Sequence, residues 1–438
     1  MENSSRFFSN TDCNFYPCHK NIKDLNCLFC YCPFYNRIQC PGSPAFIEKN
    51  GKVIKKCSDC TFPHKAENYE KIISLLKESK ETFSAKDSFH GGECEQYLQV
   101  KHDFSVNINP LGLPAAVSDF LHNCNALAQK YPDRKCKMLI EKIAEKKGFE
   151  QKYILAANGA SQVISLLSYA LGAKRALVFC PTFSGYERAL CASGTELVPY
   201  FLKEENDFAI TPALFDFLKN SPKKIDVIFL CNPNNPTGLC MEKSLLKYLA
   251  DYCRKENIFL FVDESFIDFV EEKNTFTCAD LLKGNDRLIL CSAFTKIYAM
   301  PGLRLGYAIS SNLALLNKMK SFQSEWSVSS IAQEAGCLAL SDEEYIRKTL
   351  DLVCKQRKFL AEGLEDYGIK VFKSQANFLL FKCKKDIFPS LLEGGILLRS
   401  CCNFIGLNDS TAFYFRVAVK TEEENLFLLD AIKDVYCE

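Results

Sequence analysis

The sequence has almost no charge of one sign to spare: Lys and Arg number 54 and Asp and Glu 53 over 438 residues, a formal balance of +1. A polyanion binder needs a basic excess or a basic stripe, so this balance argues against nucleic acid as a partner. Long apolar runs are missing too. No stretch reaches the roughly 18 apolar residues that a membrane-crossing helix needs, so no membrane association is expected. The opening residues, Met1 to Asn10, lack a basic segment followed by an apolar one, and no export signal is expected. Repeats and low-complexity tracts are also absent. What remains is 47% apolar and 24% charged, ordinary for a globular protein. The length suits about two or three domains.

Cysteine, by contrast, is abundant, with 24 residues, eight of them in the first 60. With no export signal, a reducing, cytoplasmic setting is expected and a disulfide framework is the weaker reading. Cys180, Cys231 and Cys291 end apolar runs, where a free thiol packs as a small hydrophobe. Residues 1–66 show little periodicity and need something other than an apolar core to hold them. Their spacing is Cys13-x4-Cys18-His19, Cys27-x2-Cys30-x-Cys32, Cys40, then Cys57-x2-Cys60-x3-His64. A CxxC pair sets two sulfurs on one turn, and structural zinc takes four such ligands in a tetrahedron. Ten candidates are therefore enough for two metals. Zinc is the first expectation and an iron–sulfur cluster the second, since thiolates alone do not choose between them. Disulfides or redox thiols stay open as further uses. A nucleic-acid-binding finger is disfavoured, because no basic recognition helix accompanies the spacing.

Residues 67–82 predict a short helix, with Ile72, Leu75 and Leu76 on one side, and 67–87 is read as helix and linker. Short apolar runs then alternate with helical patterns. Ala176–Cys180, Val227–Cys231, Ile258–Val262 and Leu288–Ser292 predict buried strands, and residues 243–257 an amphipathic helix. This alternation predicts an α/β fold with a mostly parallel sheet covered on both faces, spanning 88–330. A helix over 341–357, strands at 378–383 and 413–419, and a helix over 424–432 predict a smaller α+β lobe over 331–438.

Chemistry gathers where the strands end. Val227–Cys231 runs into Asn232-Pro233-Asn234-Asn235-Pro236-Thr237-Gly238, Ile258–Val262 into Asp263, and Leu288–Ser292 into Ala293-Phe294-Thr295-Lys296. Met300-Pro301-Gly302-Leu303-Arg304-Leu305-Gly306-Tyr307 follows. Ligands bind beyond the carboxyl ends of such strands. A lysine can form a Schiff base with a carbonyl cofactor, a buried carboxylate can hold a pyridinium proton, and an arginine with a helix N-terminus can hold a phosphate. Each feature alone has a blander reading: a surface charge, a helix cap, a turn. Their joint occurrence in this order is what carries weight.

These motifs resemble the fold-type-I pyridoxal-phosphate (PLP) enzymes over about residues 88–436. The resemblance implies PLP as cofactor, Lys296 as its Schiff-base lysine and Asp263 as partner of the pyridine nitrogen. It implies Asn235 on the ring hydroxyl and Phe183 stacked on the ring. Arg304, Thr295 and the backbone of Gly159-Ala160-Ser161 would hold the phosphate. Tyr131 would reach the cofactor of a second subunit in a homodimer. One departure stands out: relatives usually carry Ser or Thr three residues before the lysine, where this chain has Ala293, so Ser292 or Thr295 is expected to compensate.

Further segments narrow the resemblance. His90-Gly91-Gly92, then Asp103 to Gly112, then Gly395 to Cys401 and Phe415-Arg416-Val417-Ala418 are similar to the threonine-phosphate decarboxylases of cobamide synthesis. These are close cousins of the histidinol-phosphate aminotransferases. The implied substrate is a small phospho-amino acid, whose carboxylate and phosphate call for two cationic forks. Arg399 and Arg416 are the candidates, with His90, Gly91, Asn107 and Asn235 completing the pocket by resemblance. A histidinol-phosphate-type aminotransferase, a phosphoserine decarboxylase and a metal-binding scaffold on an inactive PLP fold are the rival readings. The first 66 residues resemble small cysteine-rich domains associated with metal binding.

Overall fold

The computed structural model describes residues 3–19, 22, 24–34, 42, 45–49, 52–57, 60–80, 92, 99–407 and 412–437. Cys40, His90 and Gly91 lie outside the described residues. The chain divides into two compact units, Met1–Ser88 and Phe89–Glu438.

In the first unit, strands β1 (Ala45–Lys49) and β2 (Lys52–Lys56) pair antiparallel, and a helix spans Tyr69–Lys80. The described core is small, with Phe7, Leu25, Phe34 and Ile72 buried. Polar ties supplement it. Asn26, 1% exposed, receives the Phe8 N–H on Oδ1 at 3.2 Å and donates to Arg6 O at 3.0 Å. Its own N–H donates to His64 O at 2.8 Å, so one amide joins the two ends of the segment. Each CxxC closes a tight turn: Cys30 N donates to Cys27 O at 3.2 Å and Cys60 N to Cys57 O at 3.1 Å.

The second unit holds β3 (His102–Asp103), β4 (Ile154–Ala157), β5 (Arg175–Cys180), β6 (Glu196–Phe201), β7 (Val227–Cys231), β8 (Phe259–Asp263), β9 (Leu288–Ala293) and β10 (Gly306–Ile309). After these come β11 (Lys370–Val371), β12 (Phe378–Cys383), β13 (Ile396–Leu397), β14 (Arg399–Ser400) and β15 (Phe413–Ala418). Seven strands form the large sheet in the order β4-β10-β9-β8-β7-β5-β6. β10 runs antiparallel to both its neighbours, and the others pair parallel. The four predicted strands are its contiguous centre. They are apolar throughout because helices cover both faces: Leu177, Ile228 and Leu260 pack in one core, Val178, Phe229 and Phe261 in another.

A second sheet, β11-β12-β15-β14, is antiparallel and backed by a third core around Leu360, Phe381, Phe415 and Leu428. The helix predicted over 341–357 runs Glu343–Asp366, past Gly363. A Cβ at Gly363 would stand 2.5 Å from Leu429, so the glycine admits the C-terminal helix Glu422–Cys437. β13 pairs parallel with β3 and brings the N-terminal arm against the smaller sheet. No helix among the described residues is long and apolar enough to cross a membrane.

Candidate active site

The carboxyl ends of β7, β8 and β9 open on a cavity of about 250 Å³. Asn235, Asp263, Thr295 and Lys296 line it from the large sheet, Ala160, Ser161 and Phe183 from the loops and helix beside it, and Arg304 from the segment before β10. Arg399, Phe404 and Arg416 enter from the smaller sheet, and Ser105 and Asn107 from the arm. Most of the residues singled out in the sequence therefore meet at one point.

Lys296 sits in the short helix Phe294–Ile297 that directly follows β9. Burial pushes its amine down to about 8, and the nearby guanidinium groups of Arg416 and Arg304 push in the same direction. At that value a usable fraction of the amine is neutral, hence nucleophilic, near physiological pH, where an ordinary lysine is almost wholly protonated. Asp263 ends β8 and is buried, which raises its pKa, while hydrogen bonds oppose that shift. Tyr186 OH donates to its Oδ2 at 2.9 Å. Ser265 donates to Oδ1 through Oγ at 2.5 Å and through its backbone N–H at 3.0 Å. Both carboxylate oxygens accept, which favours the charged form.

The anion-binding side is built on close approaches. The helix Gly159–Leu171 begins at the cavity, and Gly159 has φ +80°. A Cβ there would stand 2.7 Å from Arg304 Nη2, so glycine leaves the space that the guanidinium occupies. Gly306 has the same logic: its Cβ would lie 2.7 Å from Ala160 N. Thr295 and Ser161 add hydroxyl-bearing side chains to the lining. Ser292, expected as one replacement for the missing hydroxyl at Ala293, lines a separate cavity with Glu264, Tyr298 and Tyr307. Of the two, Thr295 lines the Lys296 cavity and Ser292 does not.

Arg399 and Arg416 are paired positions on β14 and β15, and both are buried. Arg416 donates through Nη1 to Asn235 Oδ1 and through Nη2 to Ser105 O, each at 2.5 Å, and its guanidinium lies 5.6 Å from the Phe378 ring centre. Arg399 donates to Asn403 Oδ1 at 2.8 Å and lies 4.9 Å from the Phe404 ring centre. Buried Arg416 Nε and Asn107 Oδ1 have no hydrogen-bond partner. Unmade bonds of this kind are costly unless a ligand makes them.

Tyr131 stands apart, 81% exposed, with its ring 4.8 Å from that of Trp326. Tyr186 and Ser265 were not singled out in the sequence. Ser265 carries a local signal, an Asp with Ser two residues on, the pattern of an Asx turn. Tyr186 comes from a helix 77 residues away and carries none.

In the first unit, Cys13, Cys18, His19, Cys27, Cys30, Cys32, Cys57, Cys60 and His64 line one cavity of about 550 Å³. Donor atoms of Cys18, His19 and His64 lie within 4.8 Å of one another. His19 Nε2 is buried without a partner. No disulfide joins the cysteines with described side chains. Soft sulfur and imidazole donors converging on an orphaned nitrogen suit a thiophilic metal.

A buried lysine with a lowered pKa, a hydrogen-bonded carboxylate, a cradle only glycine leaves open and an unsatisfied guanidinium N–H together fit a phosphorylated carbonyl cofactor such as PLP. The family described as aminotransferase class I and II matches residues 100–432, and the one described as cysteine-rich small domain matches residues 4–87. The chain is 36% identical over 360 residues to a threonine-phosphate decarboxylase of Salmonella typhimurium, covering 80% of this chain and 97% of that one. It is 32% identical to a histidinol-phosphate aminotransferase of Methanococcoides burtonii, covering 75% and 88%. A crystal structure of a histidinol-phosphate aminotransferase from Clostridium acetobutylicum superposes with a TM-score of 0.70 at 30% identity, over 77% of this chain and 99% of the other. The chain belongs to the class I and II aminotransferase family, on the fold-type-I PLP-enzyme fold, and carries a cysteine-rich small domain ahead of it.

Proposed function

We propose that the protein is a PLP-dependent carboxy-lyase that converts L-threonine O-3-phosphate to (R)-1-aminopropan-2-yl phosphate in cobamide synthesis. The observation that carries this reading is the pair of buried guanidinium groups, Arg399 and Arg416, facing the same cavity as Lys296. Two cationic forks suit a substrate bearing both a carboxylate and a phosphate. Similarity to the Salmonella decarboxylase over nearly its whole length supports the same substrate class.

When bound, PLP supplies a carbonyl for an amine to condense with and an electron-poor ring that takes up the pair left by a broken Cα bond. Lys296, its pKa lowered by burial, would offer the amine. Asp263, fixed by Tyr186 and Ser265, keeps a proton on the ring nitrogen. Arg304, Thr295, Ser161 and the backbone at Gly159 and Ala160 hold the cofactor phosphate at the helix N-terminus. Phe183 would cover the ring, and the Asn235 amide would bind its hydroxyl. Arg399 and Arg416 clamp the substrate's two anions, with Asn107 beside them and His90 and Gly91 assigned by resemblance. With the cofactor bound, the clamp would orient the substrate's Cα–carboxylate bond for cleavage, and Lys296 Nζ would hold the proton that Cα takes up once CO2 has left. Phosphoserine lacks one methyl group, worth only about 1–3 kcal/mol of discrimination.

The cysteine-rich unit holds zinc, with Cys18, His19 and His64 among the ligands and an iron–sulfur cluster as the competing occupant. The enzyme works as a homodimer in the cytoplasm, and Tyr131, exposed beside Trp326, reaches the neighbouring subunit's cofactor. Purified protein incubated with phosphothreonine, phosphoserine and histidinol phosphate tests the assignment. CO2 release from phosphothreonine without a keto-acid acceptor is expected. Amino transfer from histidinol phosphate to 2-oxoglutarate, with no CO2 from phosphothreonine, selects the aminotransferase instead.

A further inference from the structure

Asn109 lines no part of the cavity, yet it bonds to the segment that carries the reactive lysine. Its backbone N–H donates to Lys296 O at 3.1 Å, and its Nδ2 donates to Ile297 O at 2.8 Å and to Thr349 Oγ1 at 2.7 Å. Its Oδ1 accepts from Leu111 N at 3.0 Å. The residue is 3% exposed. Phe294–Ile297 is a single turn whose last carbonyls have few partners of its own: Lys296 O accepts from Ala299 N at 3.2 Å, and Asn109 adds a second donor there and takes Ile297 O. Thr349 passes its own proton to Tyr345 O at 2.8 Å, which anchors the link in the helix Glu343–Asp366. Tyr345 OH returns to the arm at Gly112 O, 2.6 Å away. Two residues before Asn109, Asn107 enters the cavity with its unpartnered Oδ1.

We infer that Asn109 is a positioning residue that locks the Lys296 turn to the arm bearing Asn107, so that substrate contact and amine placement are set by one rigid piece. This rests on the reading of Lys296 as the cofactor-binding amine. Asparagine suits the role because both amide protons are used. An isosteric aspartate has none to give, and it would turn a carboxylate toward Ile297 O and Thr349 Oγ1. Asn109 touches neither cavity nor substrate, so its effect falls on geometry rather than on binding.

Asn109→Asp and Thr349→Val, made in the full-length coenzyme-loaded protein, test the inference. The Thr349 variant keeps the β-branched shape and removes the hydroxyl that accepts from Asn109 and donates to Tyr345 O. Misplacing a reacting group slightly is enough for kcat to fall about tenfold or more in Asn109→Asp, with KM within about twofold of wild type. Thr349→Val is expected to lower kcat about two- to fivefold with KM unchanged, the smaller loss matching the more distant bond. The pH midpoint of the visible coenzyme chromophore, read without substrate, should move in the same order. Wild-type kcat and midpoint in either soluble variant would overturn the inference, as would a raised KM at constant kcat. If Asn109→Asp does not fold, Thr349→Val decides alone. A wild-type protein that forms no chromophore at all overturns the reading of Lys296 itself, whichever reaction the site runs.

Discussion

Replacing Gly159 with alanine separates the fold from the cofactor cradle. The backbone there has φ +80°, and the new Cβ would stand 2.7 Å from Arg304 Nη2 and 3.3 Å from its Cζ. Two effects follow. A side chain in the left-handed region costs about 1 kcal/mol, with or without cofactor. In a unit of this size that lowers the melting temperature of the coenzyme-free protein by only about 1–2 °C. The displaced guanidinium loses a charge-assisted bond to the cofactor phosphate, about 1.5–3 kcal/mol, felt only in the loaded state. PLP affinity should therefore weaken about 10- to 150-fold while the fold persists. Titration of the visible absorbance against added PLP measures this. A Gly159→Ala protein that is correctly folded and binds PLP as tightly as wild type would refute the placement of the phosphate between the helix start and Arg304.

Arg416→Lys keeps the charge but not the fork that serves Asn235 and Ser105 together. It should lower kcat/KM for phosphothreonine about 10- to 100-fold with PLP content unchanged, and an unaltered kcat/KM would contradict the assignment. The Lys296 amine, pushed down to about 8 by burial and then by Arg416 and Arg304, is protonated below that pH and free above it. PLP capture by the coenzyme-free protein should therefore accelerate as pH rises through about 8. A midpoint near the ordinary lysine value of about 10.4 would contradict it. Metal analysis of purified protein should find zinc, and His64→Ala should reduce it while leaving PLP absorbance intact. Equal metal content in the variant would remove His64 from the ligand set.

The centre of the large sheet is legible because its strands are buried on both faces and end in polar residues with distinct chemistry. Asn235, Asp263 and Lys296 could thus be placed at one edge before any coordinates. β4 and β10 are only four residues long, and β6 is a half-exposed edge strand containing Pro199, so no periodicity marks them. The long helix runs past its predicted end at 357 to Asp366, and it carries Gly363 because the missing side chain makes room for Leu429. Tyr186 was invisible because its partner Asp263 is distant in sequence and only the sheet brings them together. The choice of Thr295 over Ser292 depends on which cavity each side chain lines, and spacing alone does not settle that. In the cysteine-rich unit, spacing names the donors. Which of them converge depends on turns, and Cys18, His19 and His64 draw together because Asn26 ties the chain back to His64.

Carbon dioxide trapped from carboxyl-labelled phosphothreonine, with wild-type protein and Lys296→Ala compared side by side and no keto acid present, tests the central claim most directly. The account predicts that the wild type releases one CO2 for each aminopropanol phosphate formed, and that the alanine variant, still folded, releases none. Undiminished release from Lys296→Ala, or consumption of phosphothreonine without CO2, would contradict it.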